Sequence, residues 1–237
     1  MHRHARLVVV AVVVAVAAAG ALSLAGCTSV TPDAGASASS RPAPSATAAM
    51  PTGKPTLSQL VVSPDGLGYL VLGAPVPSKP ATTAIVAFNA TKCVAPAEGI
   101  TATSPGAGAW LPTYPTGLTW SGSGIPFDLG PVAASTDPVS QIEIWSPDLK
   151  TAKGIGAGST VAQLEAAYGP SLALNSAPNS DVYVLTGAHS KLLFEVAKKG
   201  AGLPVEETGT VVWMRIVPLA DTDLHIADTD ATGPCEF

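Results

Sequence analysis

The chain has 237 residues, of which 12% are charged, and its formal net charge is −5. Without the segment 1–26, which resembles a targeting segment, 10 basic and 17 acidic residues remain, a net charge of −7. An acidic chain repels phosphate backbones and anionic headgroups. We therefore expect no nucleic-acid partner and no membrane contact through a basic face.

The segment 1–26 predicts an export signal that ends at a lipid-attachment site. Residues 1–6 include two arginines, and the apolar run 7–26 carries no charge and is long enough to span a bilayer. Leu24-Ala25-Gly26-Cys27 resembles the lipobox of bacterial lipoproteins. The resemblance implies removal of the segment 1–26, diacylglyceryl and palmitate groups on Cys27, and a protein anchored on the extracytoplasmic face of the cell membrane. An uncleaved transmembrane anchor with a chance cysteine is the alternative.

Residues 27–56 predict the lipidated cysteine and a disordered tether. Most residues from Thr28 to Thr56 are Ala, Ser, Thr, Pro or Gly, which bury too little apolar area to fold. The Ala, Gly, Pro and Val bias resembles that of actinobacterial proteins. The part expected to fold runs from Leu57 to Phe237. We divide it into a first half, 57–149, and a second half, 150–237, which ends in an acidic tail.

Two cysteines remain once Cys27 is assigned to lipid. Cys93 and Cys235 are separated by 142 positions, which is too far for a metal knuckle. Because exported chains meet an oxidising environment, we expect a disulfide that ties the tail to the first half. Two buried free thiols are the alternative.

The second half predicts a short helix followed by three antiparallel strands. Thr160 with Gln163 three positions later matches a capping box, and Gly169-Pro170 is a stop signal, so the helix has about eight residues. Residues 181–187 and 191–197 alternate like strands around a hairpin turn at 187–190, and residues 208–219 predict a third strand.

The first half shows a weaker version of the same plan. Residues 81–89 predict a weak helix, and residues 140–146, SQIEIWS, match residues 211–217, VVWMRIV, as a closing strand. The extra length of the first half falls around residues 102–126. We therefore expect an α+β fold of two related halves, each a short helix plus an antiparallel meander.

The helix and meander of the second half resemble half-units of β-lactamase-inhibitor-like folds and the small domain of outer-membrane assembly lipoproteins. The positions that carry this resemblance are Gly154, Gly158, Thr160, Leu164 and Gly169. It implies a protein that binds other proteins and carries no catalytic residues. These positions are structural, so no partner-contacting residue and no inhibitor activity transfers to this chain.

Four of the twelve aromatic residues lie in the Pro/Gly-rich segment 108–127, namely Trp110, Tyr114, Trp120 and Phe127. Aromatic side chains on a loop bring large apolar area at low entropic cost, so these four residues are a candidate contact surface for a protein or glycan. The alternative is that these rings pack the loop onto the core.

Two further patterns are incomplete versions of known ligand sites. The Gly-rich stretch 154–160 opens a helix but lacks the lysine of a P-loop, so it predicts a turn with a cap rather than a phosphate site. The repeated ADTD sequence offers oxygens of the kind that calcium prefers, but without EF-hand spacing. Its acids are Asp221, Asp223, Asp228 and Asp230. We expect a solvated tail and no metal site.

These patterns together predict an exported, lipid-anchored cell-envelope protein of a non-enzymatic binding or adaptor type. We expect no catalytic residue, no cofactor, membrane contact through the lipid on Cys27, and a protein or glycan partner. A small-ligand or glycan-binding lipoprotein is the first alternative. A cell-wall hydrolase is the second, with a set such as Ser123, His225 and Asp221, around which no hydrolase motif occurs.

Overall fold

Strands form most of the regular structure and are arranged in three sheets. The computed structural model describes residues 53–77, 82–115, 124–132, 134–199, 207–225 and 234–235. All of these belong to one compact unit, Thr47–Phe237. Within these ranges no helix has the length and apolar character needed to cross a membrane. The export signal, Cys27 and the tether up to residue 52 lie outside the described residues and stay predictions.

The helix α1 spans Val161–Tyr168, and short 3-10 turns span Leu57–Gln59, Pro96–Glu98 and Gly169–Ser171. The strands are β1 Val61–Ser63, β2 Gly66–Leu67, β3 Leu70–Val71, β4 Val86–Asn89, β5 Gly108–Pro112, β6 Phe127–Asp128, β7 Pro131–Val132, β8 Ile142–Ile144, β9 Lys150–Thr151, β10 Leu172–Ser176, β11 Ser180–Thr186, β12 Ser190–Ala197 and β13 Val211–Pro218.

The largest sheet is antiparallel throughout and has six strands in the order β10-β11-β12-β13-β8-β6. A four-stranded sheet has the order β3-β2-β1-β9, and a three-stranded sheet has the order β4-β5-β7.

The expected α+β class is wrong, because the fold is mostly β. Among the described residues the one α-helix is α1, which has eight residues. The segment 81–89, expected to be a helix, contains the strand β4 instead. Its alanines suit a helix, but Thr82, Thr83, Ile85 and Val86 are β-branched and prefer extended backbone. Pairing of β4 with β5 then satisfies its backbone hydrogen bonds.

The expected plan of two related halves, each with a helix and its own meander, is also wrong. Strand β8, expected to close a meander of the first half, pairs with β13 of the second half. Ile144 lies opposite Met214, and Ile142 lies opposite Ile216. The two segments are therefore neighbouring strands of one sheet and not equivalent strands of a repeat. Their sequences are similar because both strands alternate side chains between the same two faces of that sheet.

The local predictions for the second half are confirmed. Thr160 Oγ1 accepts a hydrogen bond from the backbone N–H of Gln163 (3.3 Å), and Gln163 Oε1 accepts one from the backbone N–H of Thr160 (2.9 Å). This capping box begins α1 where expected. The three predicted strands correspond to β11, β12 and β13, and the structure adds β10 before them. The meander therefore has four strands.

The two faces of the six-stranded sheet differ in chemistry. The first face belongs to the main core, in which Phe194 and Met214 pack with Leu164 of α1. Side chains alternate along each strand, so the neighbours of these residues point the other way. The second face therefore carries Glu195 on β12 and Arg215 on β13, among apolar side chains.

The expected disulfide is present. Cys93 and Cys235 are bonded, with an S–S distance of 2.11 Å and a Cα–Cα distance of 5.2 Å. Cys93 lies between β4 and β5, so the bond ties the part of the chain that follows β13 to the first half.

Candidate functional site

Charged side chains are almost fully buried in the second face of the six-stranded sheet. Glu143 lies opposite Arg215 on one side and opposite Asp128 on the other, in the registers β8–β13 and β8–β6. Asp128 and Glu143 are 0% exposed, and Arg215 is 7% exposed. Burying charge costs free energy unless the groups are paired or hydrogen-bonded. The buried charged groups of the second face therefore require charged or hydrogen-bonding partners.

The segment that follows β13 covers the part of this face formed by β11, β12 and β13, and we call residues 219–225 the strap. Lys191 Nζ donates hydrogen bonds to the backbone carbonyls of Leu219 (3.3 Å) and Asp221. Arg215 Nη2 donates to the carbonyl of Asp223 (2.5 Å). Two cations of the sheet thus hold the backbone of the strap. Leu224 of the strap packs on an apolar cluster formed by Val182, Val184, Leu193 and Val217.

A continuous set of hydrogen bonds connects the sheet to the strap. Glu195 Oε2 accepts from Trp213 Nε1 (2.6 Å), and Glu195 Oε1 accepts from Ser180 Oγ (2.6 Å). Ser180 Oγ also lies 3.0 Å from His225 Nδ1. The other ring nitrogen of His225, Nε2, lies 3.2 Å from Asn175 Oδ1. We call Glu195, Ser180, His225 and Asn175 the polar network.

The polar network contains a serine, a histidine and an acid, but in the wrong order for a nucleophilic triad. In a triad the histidine lies between the serine and the acid and takes the proton of the serine. Here Ser180 lies between Glu195 and His225, and Ser180 is 0% exposed. Its hydroxyl group is a structural link and does not reach a substrate in this conformation.

Of the hydrolase set named from the sequence, the structure describes His225 and Asp221. His225 lies beside Ser180, and Ser123 lies outside the described residues. Asp221 Oδ1 accepts a hydrogen bond from the backbone N–H of Asp223 (2.9 Å), which closes a local turn of the strap.

Of the rings in the aromatic segment 108–127 that the structure describes, two lie in the interior. Trp110 on β5 is 2% exposed and Phe127 on β6 is 0% exposed. Tyr114 is half-buried and donates a hydrogen bond to the carbonyl of Pro55 (2.8 Å). Burial, with a smaller contribution from the neighbouring Tyr69, raises the pKa of Tyr114 to about 12. Trp120 lies outside the described residues.

A cavity of about 380 Å³ lies beside β4 and β5. Its walls are mostly apolar and include Trp110, whose Nε1 is buried without a hydrogen-bond partner in the described part of the chain. A buried donor without an acceptor is unusual in folded proteins and costs free energy. The residues around the cavity are Ala84, Val86, Ala87, Phe88, Trp110, Thr113 and Ser135.

Strand β10 forms an open edge of the six-stranded sheet. No strand in the described ranges pairs with its outer side, and every residue after Leu172 is exposed. Leu174, at its centre, is 58% exposed. The register with β11 is regular, and the strand contains no charge and no proline. Such an edge offers unpaired backbone N–H and C=O groups to another chain.

The turn between β1 and β2 docks onto the β11–β12 hairpin. Asp65 Oδ1 accepts hydrogen bonds from the backbone N–H of His189 (3.1 Å) and from Ser190 Oγ (3.2 Å). Burial alone would raise the pKa of Asp65, but these hydrogen bonds outweigh it and the pKa is lowered. A Cβ on Gly187 would come within 2.7 Å of Pro64 Cβ, so the docking requires glycine there.

The two other sequence patterns do not form ligand sites in the described part. The backbone N–H of Gly158 donates to the carbonyl of Val211 (2.7 Å), and that of Gly156 donates to Ser159 Oγ (3.1 Å), so the Gly-rich stretch uses these donors internally. No group of three or more His, Cys, Asp or Glu side chains in the described ranges could hold a metal ion. Asp228 and Asp230 lie outside them.

Sequence reasoning missed the polar network, although β12 contains a signal for it. Leu192, Leu193 and Phe194 make both faces of this strand apolar, which is typical of a central strand buried on both sides. Lys191 and Glu195 in the same strand must then be buried and must find partners. The partners themselves come from β11, β13 and the strap, which the sequence of β12 cannot indicate.

Searches of known protein families, curated proteins and solved structures found no match to this chain.

Proposed function

We propose that this protein is an exported, lipid-anchored cell-envelope protein of a non-enzymatic binding or adaptor type. The observation that carries the proposal is the bond between Cys93 and Cys235. Structural disulfides form in oxidising compartments, which lie outside the cytoplasm. The lipobox-like sequence that ends in Cys27 would deliver the chain to such a compartment and hold it on the outer face of the membrane.

The open edge of β10 supports the adaptor role. An extended segment of a partner can add to such an edge as a further strand, with main-chain hydrogen bonds that supply affinity. Natural proteins usually protect a long edge with a charge, a proline or a bulge. The segment Leu172–Ser176 has none of these, and Leu174 offers an apolar contact at its centre.

The lipid anchor is tested with the full chain in a bacterium that processes lipoproteins. We expect the wild-type chain to fractionate with membranes and its mature N-terminal peptide to carry the diacylglyceryl mass. Cys27→Ala should lose the diacylglyceryl mass and keep residues 1–26, while Ser29→Ala, which keeps the thiol, should behave like the wild type. A wild-type chain that keeps residues 1–26 and lacks the diacylglyceryl mass would favour the uncleaved transmembrane anchor instead.

The adaptor role is tested by crosslinking the full chain in its own membranes. A charge at the centre of β10 opposes strand addition but stays in solvent, so Leu174→Lys should fold and lose the partner. Val71→Lys places the same charge at a residue that is 49% exposed on β3, and it should keep the partner. Equal capture by the two variants would rule out β10 as the contact surface.

A small-ligand role is the second candidate, and the cavity beside β4 and β5 favours it. A volume of about 380 Å³ falls in the usual range for ligand sites, and apolar walls with few polar groups are typical of them. The test is fluorescence of the apolar probe 1-anilinonaphthalene-8-sulfonate. Ala87→Trp, which fills the cavity from its exposed rim, should reduce probe binding, whereas Ala173→Trp on β10 should not. Equal probe binding by these two variants would exclude the cavity as the ligand site.

A further inference from the structure

We propose that the cavity beside β4 and β5 binds an uncharged molecule of one or two rings that carries a hydrogen-bond acceptor, and that Trp110 Nε1 donates to this acceptor. The inference rests on the small-ligand role proposed above. It adds the chemical class of the ligand and the side chain that selects it. A hydrocarbon of the same shape binds less tightly, and a carboxylate is excluded.

Strand pairing places Trp110 at the cavity. Trp110 on β5 lies opposite Phe88 on β4, and Pro112 lies opposite Val86. Because side chains alternate along a strand, these four residues share one face of the strand pair. Val86, Phe88 and Trp110 all line the cavity. The register of two paired strands therefore fixes this part of the cavity wall.

The chemistry of the wall excludes a charged ligand. None of the seven described residues around the cavity carries a charge, and five of them are apolar. A charged group that entered would lose its hydration without gaining an opposite charge, which costs free energy. The volume of about 380 Å³ lies at the small end of the range for ligand sites, which limits the occupant to one or two rings.

Trp110 Nε1 differs from the other indole nitrogens that the structure describes. The Nε1 atoms of Trp145 and Trp213 donate to Asp128 (3.0 Å) and Glu195 (2.6 Å). Trp110 is 2% exposed, and its Nε1 has no hydrogen-bond partner within the described ranges. Buried donors in folded proteins are nearly always paired, so an unpaired donor in a cavity wall points to an acceptor supplied by a ligand.

The other polar groups of the wall are used or lie at the rim. Thr113 Oγ1 donates to the carbonyl of Ala84 (2.8 Å), and the backbone N–H of Thr113 donates to the carbonyl of Ile85 (2.9 Å). Ser135 is exposed. The indole nitrogen is a donor only, so it selects an acceptor such as a carbonyl or ether oxygen.

The ring of Phe88 controls access to this donor. It is half-buried, lines the cavity and packs against the Trp110 ring at a centroid distance of 5.3 Å. A turn of this ring admits the ligand oxygen to Nε1. Because Nε1 is shielded from water in the unliganded molecule, the ligand oxygen displaces no water there. The new hydrogen bond then offsets the full penalty of the unpaired donor.

Two compounds of the same shape test this inference. Acetophenone carries a carbonyl group where α-methylstyrene carries a carbon–carbon double bond. Both are titrated into the full chain in detergent micelles, and the ratio of their dissociation constants is compared between wild type and Trp110→Phe. We expect Trp110→Phe to reduce the preference for the ketone about tenfold. Uptake by the micelles is the same for both proteins, so the comparison cancels it.

The indole N–H signals in a nitrogen–proton correlation spectrum give a direct readout. The signal that disappears in Trp110→Phe belongs to Trp110. Acetophenone should move the proton of this signal downfield, as formation of a hydrogen bond does, whereas α-methylstyrene should not. Benzoate, which has the same ring and a negative charge, should leave the signal in place.

Two further variants separate the hydrogen bond from packing. Phe88→Leu keeps the indole and changes the apolar wall, so it should change both affinities by the same factor. Ala87→Trp should block both compounds. An unchanged ratio in Trp110→Phe, or a Trp110 signal that acetophenone leaves in place, overturns the inference and leaves the small-ligand role intact. Binding of neither compound to the wild type overturns both.

Discussion

The two faces of the six-stranded sheet are buried by different chemistry. On the first face Phe194, Met214 and Leu164 are each 0% exposed and pack against one another in the main core. On the second face Glu195 and Arg215 are buried almost as completely, but against hydrogen-bonding partners. Apolar burial stabilises in proportion to the area removed from water. Polar burial stabilises only where donors and acceptors match.

This difference predicts how each face responds to substitution. The first face should be sensitive to the volume of a side chain and largely insensitive to pH. The second face should tolerate a change in side-chain shape better than the loss of a single hydrogen-bond donor. Four measurements, from the largest expected effect to the smallest, test this contrast.

Removal of the disulfide should have the largest effect on stability, because this bond constrains the unfolded chain. Cys93→Ser combined with Cys235→Ser opens a loop of 142 residues, and we expect the free energy of unfolding in urea to fall by about 4–5 kcal/mol. The wild-type chain unfolded under reducing conditions is the control and should match the variant. A loss below about 1 kcal/mol would show that closure of this loop contributes little to the stability of the fold.

Truncation of a buried aromatic ring should destabilise the packing of the first face. Phe194→Ala removes a fully buried ring that packs against Tyr168 at a centroid distance of 5.8 Å, and we expect a loss of about 3–5 kcal/mol in urea unfolding. Phe194→Leu keeps most of the volume and should lose much less. If both variants unfold at the same urea concentration, packing volume is not what stabilises this face.

Loss of one indole N–H should affect the second face without changing its shape greatly. Trp213→Phe leaves Glu195 Oε2 without its donor, and we expect a loss of about 1–3 kcal/mol in thermal unfolding. Trp110→Phe is the matched control, because the Nε1 of Trp110 has no partner within the described ranges. Equal losses in the two variants would mean that ring size, and not the hydrogen bond, accounts for the effect.

Replacement of Asp65 should have the smallest effect on thermal stability, and only at acidic pH. Its folded-state pKa lies below the ordinary value of 3.8. The carboxylate therefore contributes stability above that value, and this contribution is lost as the pH falls through the folded-state pKa. Asp65→Asn should reduce the acid-induced loss of thermal stability, while Asp148→Asn serves as the control. Identical acid profiles for the wild type and Asp65→Asn would contradict this account.

The parts of the fold that sequence predicted correctly depend on local signals. The helix α1 has its cap at Thr160 and its stop at Gly169, and strands β11 and β12 alternate on either side of a short turn. The disulfide followed from the cysteine count. The helix predicted in the first half was wrong because the local sequence signals there conflict. Alanines in 81–89 suit a helix, while strand pairing with β5 decides the outcome.

The candidate site could be predicted only in part. The sequence of β12 implies that Glu195 is buried, since its neighbours are apolar on both sides. It does not indicate that Ser180 and Trp213 supply the hydrogen bonds, because this depends on the order of strands in the sheet. The aromatic segment was noticed for its composition, yet Trp110 and Phe127 lie on strands of the interior.

The position of the strap in the chain has a consequence for biogenesis. Residues 219–225 follow every strand of the sheet that they cover, so during synthesis and export all six strands emerge before their cover does. An apolar face left uncovered for that time would invite aggregation. The second face carries Glu195 and Arg215 among its apolar side chains, and charged groups hold water until they are covered. We therefore expect these charges to reduce aggregation of the unfinished molecule until the strap arrives.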